Sequence, residues 1–330
     1  MSLLQVESLS VHYSTQRGEV HALDDVSFRL EQGEALGLVG ESGCGKTTVA
    51  MSIMRLLAEN ARILTGRILF RGEDLLAKAD EEMRRLRWKE ISMVFQAAMN
   101  ALNPVHRVGD QIAEAIMAHD GAVTREEAQR RLEGLCAMVG LDPARMRDYP
   151  HQFSGGMRQR AVIAMALACR PSLVIADEPT TALDVMVSDQ ILGELRRLQL
   201  DMGLSILYIS HDISVIARSC DRMGVMYAGQ LVEFGPTDEL LESPLHPYTK
   251  GLMRSYPRIS GPKERLHPIP GEPPNLLRPP GWVSLLSQVP GCGGGMSGAT
   301  AHVEGIWGAT LRPVPPHSDL RRANRIWNLW

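Results

Sequence analysis

Apolar residues recur along this chain at distinct spacings, and each spacing predicts a different element. Over about the first 30 residues they alternate with polar ones, as in Leu4-Gln5-Val6-Glu7-Ser8-Leu9-Ser10-Val11 and Val26-Ser27-Phe28-Arg29-Leu30, with Gln16-Arg17-Gly18 as a turn between. A period of two predicts antiparallel strands with one wet face. Short, mostly apolar runs follow at residues 35–39, 66–70, 91–95, 173–176 and 205–210, and they read as strands. Between them the period becomes helical at about 46–57, 160–168 and 190–200. A longer helical stretch lies near 108–150, where Ile112, Ile116, Leu132, Leu135 and Met138 recur on one face and Thr124 with Glu127 forms a capping box. Residues 222–231 read as a hairpin turning at Gly229. Strands alternating with helices imply an α/β fold with a parallel sheet covered on both faces, interrupted by a helical insert. From Gly235 onward prolines crowd the chain, among them Pro236, Pro244, Pro247, Pro268, Pro270, Pro273 and Pro274, marking an extended appendage.

Composition narrows the classes. The 330 residues are 44% hydrophobic and 22% charged, enough for one large or two ordinary domains. A net charge of −3 speaks against a nucleic-acid partner, which a basic surplus would attract. The one strong basic run, Arg84-Arg85-Leu86-Arg87-Trp88-Lys89, reads as a solvated helix face. No stretch approaches the ~18–20 apolar residues that cross a bilayer, and the N-terminal residues lack a signal-peptide pattern. The expectation is a cytosolic chain, unless a partner holds it at a membrane. Cys44, Cys136, Cys169, Cys220 and Cys292 are scattered and form no CxxC pair, as reduced thiols would be.

The chemistry begins at Gly40-Glu41-Ser42-Gly43-Cys44-Gly45-Lys46-Thr47-Thr48, directly after the run at 35–39 and before a helix. It satisfies G-x-x-x-x-G-K-[ST] in the context that motif requires. Glycines let successive N–H groups face one concavity, and the following helix adds its positive end, so a polyphosphate is the expected ligand. Lys46 would reach the outer phosphates and Thr47 would ligate Mg²⁺. A second element comes at Leu173-Val174-Ile175-Ala176-Asp177-Glu178, where an apolar strand delivers two acids at the end at which ligands sit in open α/β sheets. Asp177 is the expected metal partner and Glu178 the general base. A third, Phe153-Ser154-Gly155-Gly156, opens another helix and makes a second anion site. Two such sites are economical when each serves half of a ligand shared across a head-to-tail dimer.

With these three elements on one chain, the sequence resembles the nucleotide-binding subunits of ABC transporters from about Leu3 to Pro274. The resemblance implies a P-loop NTPase of the ABC ATPase fold: a RecA-like core, an antiparallel β subdomain, an α-helical subdomain and a C-terminal extension. Residues 153–157 match the family's signature loop, with Phe153 and Met157 in place of its usual outer residues. By the same resemblance Gln96 is the Q-loop glutamine that senses metal and water, His211 the switch histidine facing the γ-phosphate, Asp184 the D-loop acid at the dimer interface, and Tyr13 the aromatic that stacks on adenine. Catalysis is thus expected of Glu178, His211 and Gln96, metal binding of Thr47, Gln96 and Asp177, and nucleotide binding of residues 40–48, Tyr13, Ser154, Gly155, Gly156 and Asp184.

Met99-Asn100-Ala101-Leu102-Asn103-Pro104, His246-Pro247-Tyr248-Thr249-Lys250-Gly251-Leu252 and Ile269-Pro270-Gly271-Glu272-Pro273-Pro274 narrow the resemblance to the oligopeptide, dipeptide and nickel importer ATPases. That branch implies ATP and Mg²⁺, two membrane permease subunits, a second ABC ATPase or a homodimer as partner, and indirectly a solute-binding protein. It places the chain peripherally on the cytoplasmic face of the inner membrane. Nickel or another solute, or an ATP-dependent clamp of low turnover, are the alternatives. The domains expected are 1–235 for the ATPase, with its helical subdomain at about 97–160, 236–280 for the extension, and 281–330 as an aberrant tail.

The tail departs from the family, in which a cysteine-rich segment able to hold an iron–sulfur cluster usually follows the prolines. Here Gly281-Trp282-Val283-Ser284-Leu285-Leu286 follows Pro279-Pro280, and Cys292 is the lone cysteine beyond it. Codons permitted for Trp282 to Ser297, read one nucleotide out of register, allow Gly-Cys-Pro-Phe-Ser-Pro-Arg-Cys-Pro-Asp-Ala-Glu-Glu-Glu-Cys. The expectation is a frameshift near codon 281, a disordered tail, and no cluster ligands in this chain.

Overall fold

A computed structural model describes residues 2–96, 101–120, 123–181, 183–255 and 275–277. In chain order the first elements are β1 (Ser2–Thr15), β2 (Gly18–Glu31), β3 (Ala35–Val39), α1 (Lys46–Met54), β4 (Ala61–Phe70), β5 (Glu73–Asp74), α2 (Asp80–Leu86) and β6 (Ile91–Val94). Then come α3 (Val108–His119), α4 (Arg125–Met138), α5 (Gly155–Ala166), β7 (Leu173–Asp177), α6 (Val185–Met202) and β8 (Ser205–Ser210). The last are α7 (Ile213–Ser219), β9 (Arg222–Tyr227), β10 (Gln230–Pro236), α8 (Thr237–Glu242) and α9 (Pro247–Arg254). The chain divides into two units, Met1–Leu245 with Pro273–Pro280, and His246–Glu272 with Gly281–Trp330; α9 is the element described in the second.

The apolar runs at 35–39, 91–95, 173–176 and 205–210 supply β3, β6, β7 and β8 of a six-stranded sheet in the order β10-β9-β3-β8-β7-β6, whereas the run at 66–70 falls in β4 of a second sheet. Strands β9, β3, β8, β7 and β6 are parallel, and β10 returns antiparallel to β9. Every residue of β3, β6, β7 and β8 is buried, which is why these strands read as unbroken apolar runs rather than as alternation. Close packing at β3 depends on Gly37, where a Cβ would lie 2.4 Å from Ile216 Cγ2 of α7. An α/β sheet of this kind was expected, and so was the second, antiparallel sheet, of order β2-β1-β4-β5.

β1 and β2 are longer than simple alternation indicated. They stay paired over 14 residues each because the register shifts at several points and Ser8 and Asp25 take φ of 46° and 52°. Such irregularities bend and twist a ribbon without ending it. Its inner face, with Leu4, Val6, Leu9, Val26, Phe28 and Leu30, joins one core with Val49 and Ile53 of α1, Leu36 and Leu38 of β3, and Ile175 of β7. Each such side chain, fully buried, contributes about 1.5–3 kcal/mol. The core thus clamps α1, and with it the loop that precedes α1, between two sheets.

Residues 108–150 carry the helical insert. Ile112 and Ile116 of α3 and Leu132 and Leu135 of α4 are buried, and Thr124 caps α4 by accepting a hydrogen bond from Glu127 N at 3.3 Å. The basic run at 84–89 differs from expectation. Arg84 and Arg85 are solvated, but α2 ends at Leu86, and the Arg87 guanidinium turns inward to donate to Met54 O and Arg55 O at 2.8 and 3.0 Å. Trp88 Nε1 donates to Met165 O at 2.8 Å. The carbonyls that α1 leaves open at its C-terminal end attract the cation, so this stretch ties three elements together.

Candidate functional site

The parallel strands all point their C-terminal ends at one edge of the sheet. In the order β3-β8-β7-β6, that edge presents the glycine loop, then Ser210-His211, then Asp177-Glu178, then Phe95-Gln96. Residues separated by more than a hundred positions in sequence become neighbours because β8 is inserted between β3 and β7.

The loop wraps the Lys46 side chain. Lys46 is buried, and its Nζ donates to Gly40 O at 2.7 Å, to Glu41 O at 2.8 Å and to Cys44 Sγ at 3.5 Å. Gly43 and Gly45 adopt φ of +83° and +106°, a region L side chains rarely enter. At Gly45 a Cβ would also meet Ala22 O at 2.4 Å, so the backbone of β2 forms one wall of the loop. Gly229 N donates to Cys44 O at 3.1 Å and ties the β9–β10 turn to the other side. Thr47 and Thr48 sit in the first turn of α1, where the helix N–H groups are open.

Asp177 ends β7 at 1% exposure, and neither of its carboxylate oxygens has a hydrogen-bond partner. Burial pushes its carboxyl above the ordinary range; the facing Thr47 hydroxyl and the Lys46 charge oppose this, and the Glu178 charge adds to it. The Thr47 contact eases the carboxylate without completing a hydrogen bond of good geometry. A buried, unpartnered carboxylate facing a hydroxyl is a donor set that fits a hard divalent cation such as Mg²⁺.

Glu178 is held differently. Its backbone sits at φ +49°, pinned by donation from Glu178 N to Ile209 O at 2.8 Å. Its Oε1 lies 2.8 Å from His211 Nδ1, and its Oε2 accepts from Gln96 Nε2 at 3.1 Å and from Thr181 Oγ1 at 2.8 Å. Burial alone would raise this carboxyl, but the bonds from His211 and Thr181 and the charges of His211 and Lys46 outweigh it and bring it below the ordinary range. The structure therefore joins Lys46, Thr47, Asp177, Glu178, His211 and Gln96 in one cluster. Thr181 belongs to it as well and had no place in the sequence reading. A hydroxyl three residues beyond an acid becomes a signal only once a turn is known to follow Glu178, here closed by Thr181 N donating to Glu178 O at 3.2 Å.

Other expected residues lie apart from the cluster. Ser154 N-caps α5, accepting from Met157 N at 3.3 Å, and Gly156 packs so near α6 that a Cβ would be 2.7 Å from Val187 Cγ1. Asp184 N-caps α6, accepting from Val187 N at 2.9 Å, and leaves Val185 and Met186 exposed in the first turn at 83% and 73%. Tyr13 lies on β1 opposite Val20 and Ala61, half-buried against the core. The cysteine-poor tail and residues 97–100, 256–274 and 278–330 lie outside the described residues.

A glycine cradle after one strand, an acid pair after a second and a histidine after a third define a P-loop nucleotide-binding cassette. Residues 23–181 match the ABC transporter family, and residues 232–293 match the oligopeptide/dipeptide transporter C-terminal region. The chain is 46% identical to the dipeptide transport ATP-binding protein DppD of Lactococcus lactis over 280 residues, 84% of this chain and 80% of that protein. It is 47% identical to the oligopeptide transport ATP-binding protein OppD of Escherichia coli over 291 residues, 88% of this chain and 86% of that one. The dimeric structure of an ATP-binding cassette in a post-hydrolysis state, bound to ADP and Pi, superposes with a TM-score of 0.64 at 26% identity, covering 71% of this chain and 98% of that chain. The chain belongs to the ABC transporter ATPases, in the oligopeptide/dipeptide branch of ATP-binding subunits.

Proposed function

We propose that this chain binds and hydrolyses ATP as one half of a twofold motor that drives uptake of dipeptides or oligopeptides through two permease subunits. The observation that carries the reading is the cluster at the strand ends, in which Lys46, Thr47, Asp177, Glu178, His211 and Gln96 converge beside the glycine loop on a chain 46–47% identical to peptide-transport ATPases. The loop N–H groups and Lys46 bind the phosphates of ATP. Glu178 takes a proton from water as its oxygen attacks the γ-phosphorus and the bond to the β-phosphate oxygen breaks. His211 and Gln96 exchange their bonds to Glu178 for bonds to the nucleotide and its water. Mg²⁺, when bound, neutralises charge building on the phosphates, and Thr47 and Asp177, with Gln96 nearby, are the residues that would hold it.

Ser154, Gly155 and Gly156 serve the partner's nucleotide, which accounts for a second anion site set apart from the cluster, and Asp184 and the exposed Val185 and Met186 face that partner. The partner is a second copy or a related ATPase, and Tyr13 stacks on adenine. Among the described residues no helix is long and apolar enough to cross a membrane, in keeping with a peripheral subunit held at the cytoplasmic face by its permeases. An iron–sulfur centre does not fit the residues present: Cys44, Cys136, Cys169 and Cys220 are free, burial raises all four thiols, and Cys292 stands alone beyond them. The proposal includes the 1–235, 236–280 and 281–330 organisation and the base slip near codon 281. Resequencing the gene tests that slip, and an intact frame shared by close relatives would overturn it.

The decisive experiment places the chain with its permeases in proteoliposomes. ATP-dependent uptake of labelled di- and oligopeptides, lost in Glu178→Gln while ATP binding is kept, is the expected result. Full turnover by Glu178→Gln, or no ATP hydrolysis by the assembled complex, refutes the reading.

A further inference from the structure

Of the donors that meet the Glu178 carboxylate, two have other duties during turnover. In the proposed reaction His211, more than half exposed here, turns to the γ-phosphate and Gln96 to the metal and water. Once they turn to the nucleotide, Oε1 and Oε2 lose the contacts at 2.8 and 3.1 Å. The Thr181 hydroxyl is different. It bonds Oε2 at 2.8 Å, its own N–H closes the turn onto Glu178 O at 3.2 Å, and the Glu178 backbone is pinned to Ile209. Both ends of this link are therefore fixed by main chain, and the link needs no part of the nucleotide.

We propose that Thr181 is a positioning residue for the reaction: its hydroxyl keeps the Glu178 carboxylate aimed at the attacking water after His211 and Gln96 have left it. The residue also stands three positions before Asp184, whose side chain caps α6 at Val187 N and whose neighbours Val185 and Met186 are exposed. This role rests on Glu178 being the base. A carboxylate released by all three donors regains its side-chain torsions, and a reacting group displaced by about 1 Å loses up to a hundredfold in rate.

The test compares Thr181→Val, which keeps the shape and deletes the hydroxyl, with Thr181→Ser, which restores it, in the complex with permeases. Thr181→Val is expected to lower kcat about 10- to 100-fold with KM for ATP and fluorescent-nucleotide affinity unchanged. Thr181→Ser is expected to return kcat to within about twofold of wild type. A kcat for Thr181→Val equal to wild type, a Ser variant as slow as the Val variant, or a loss of nucleotide affinity that accounts for the whole effect overturns the proposal. Glu178→Gln measured alongside separates the two ideas: if it remains active the base assignment itself is wrong, whereas an inactive Gln variant beside an unimpaired Val variant removes Thr181 alone.

Discussion

Replacing Asp177 by Asn should make this protein more stable and useless at once. The carboxylate is 1% exposed, both oxygens lack partners, and burial outweighs the help it receives from Thr47 and Lys46. A buried polar group without a partner costs about 1–3 kcal/mol, more when charged. Asn has nearly the same shape and no charge but keeps a buried polar amide, so the substitution should recover the part of that cost that the charge adds, about 1–2 kcal/mol. For a unit of this size, 1 kcal/mol moves Tm by about 2–4 °C, so without nucleotide the variant should melt roughly 2–8 °C above wild type. Saturating Mg²⁺-ATP at about a hundred times its Kd should stabilise the wild type by ~2.7 kcal/mol, and most of the magnesium-dependent part should vanish in the variant. Differential scanning fluorimetry, with and without ATP and with Mg²⁺ or EDTA, reads both effects. Most substitutions at buried sites destabilise, so the expected sign is informative. An Asn variant that melts at or below wild type without nucleotide, or keeps the full Mg²⁺-dependent rise, refutes the reasoning.

Three other outcomes are expected. Gly45→Ala adds a Cβ at φ +106° and 2.4 Å from Ala22 O, against backbone that cannot easily yield, so nucleotide affinity measured by fluorescence should fall by at least tenfold while far-UV circular dichroism stays native. Ser42→Cys combined with Gly155→Cys in the Glu178→Gln background should give an oxidant-linked dimer on gels only when Mg²⁺-ATP is present; a dimer indifferent to nucleotide would count against the shared site. Burial pushes the Cys136 thiol from 9.0 to about 11, so at pH 8 its alkylation should be roughly a hundredfold slower than that of a thiol at the ordinary value. The rate should climb about tenfold per pH unit, since only the thiolate reacts, and mass spectrometry finding Cys136 labelled as fast as the unfolded protein would contradict the burial.

The parts of the fold easiest to read were those where burial leaves no choice. Residues 35–39 and 205–210 are strands to the residue because both faces are covered. Helix ends were harder, since they are decided by one or two local bonds. α1 stops at Met54, short of Leu57, because Arg55 turns to φ 50° and Leu56 N bonds back to Met51 O. α5 starts at Gly155 rather than Arg160 because Ser154 caps it, and α6 starts at Val185 rather than near Gln190 because Asp184 does. The signals for both caps were in the sequence, but the same side chains had been assigned to the dimer interface, and one residue can do both. The site followed a similar division. The loop at 40–48 and the acids at 177–178 are contiguous and legible, whereas Thr181 and the inward turn of Arg87 depend on a backbone direction that no spacing encodes.

The position of β8 has a consequence for synthesis as well as for chemistry. Cradle and acids are emitted early, but the strand that spaces them, and the histidine at its end, come only with residues 205–211. A ribosome-bound or truncated chain stopping before that point carries every phosphate-binding glycine and still has no means of lining them up with Glu178. Strand order thus makes completion of the site wait on a long-range pairing, the kind of contact that forms late in folding.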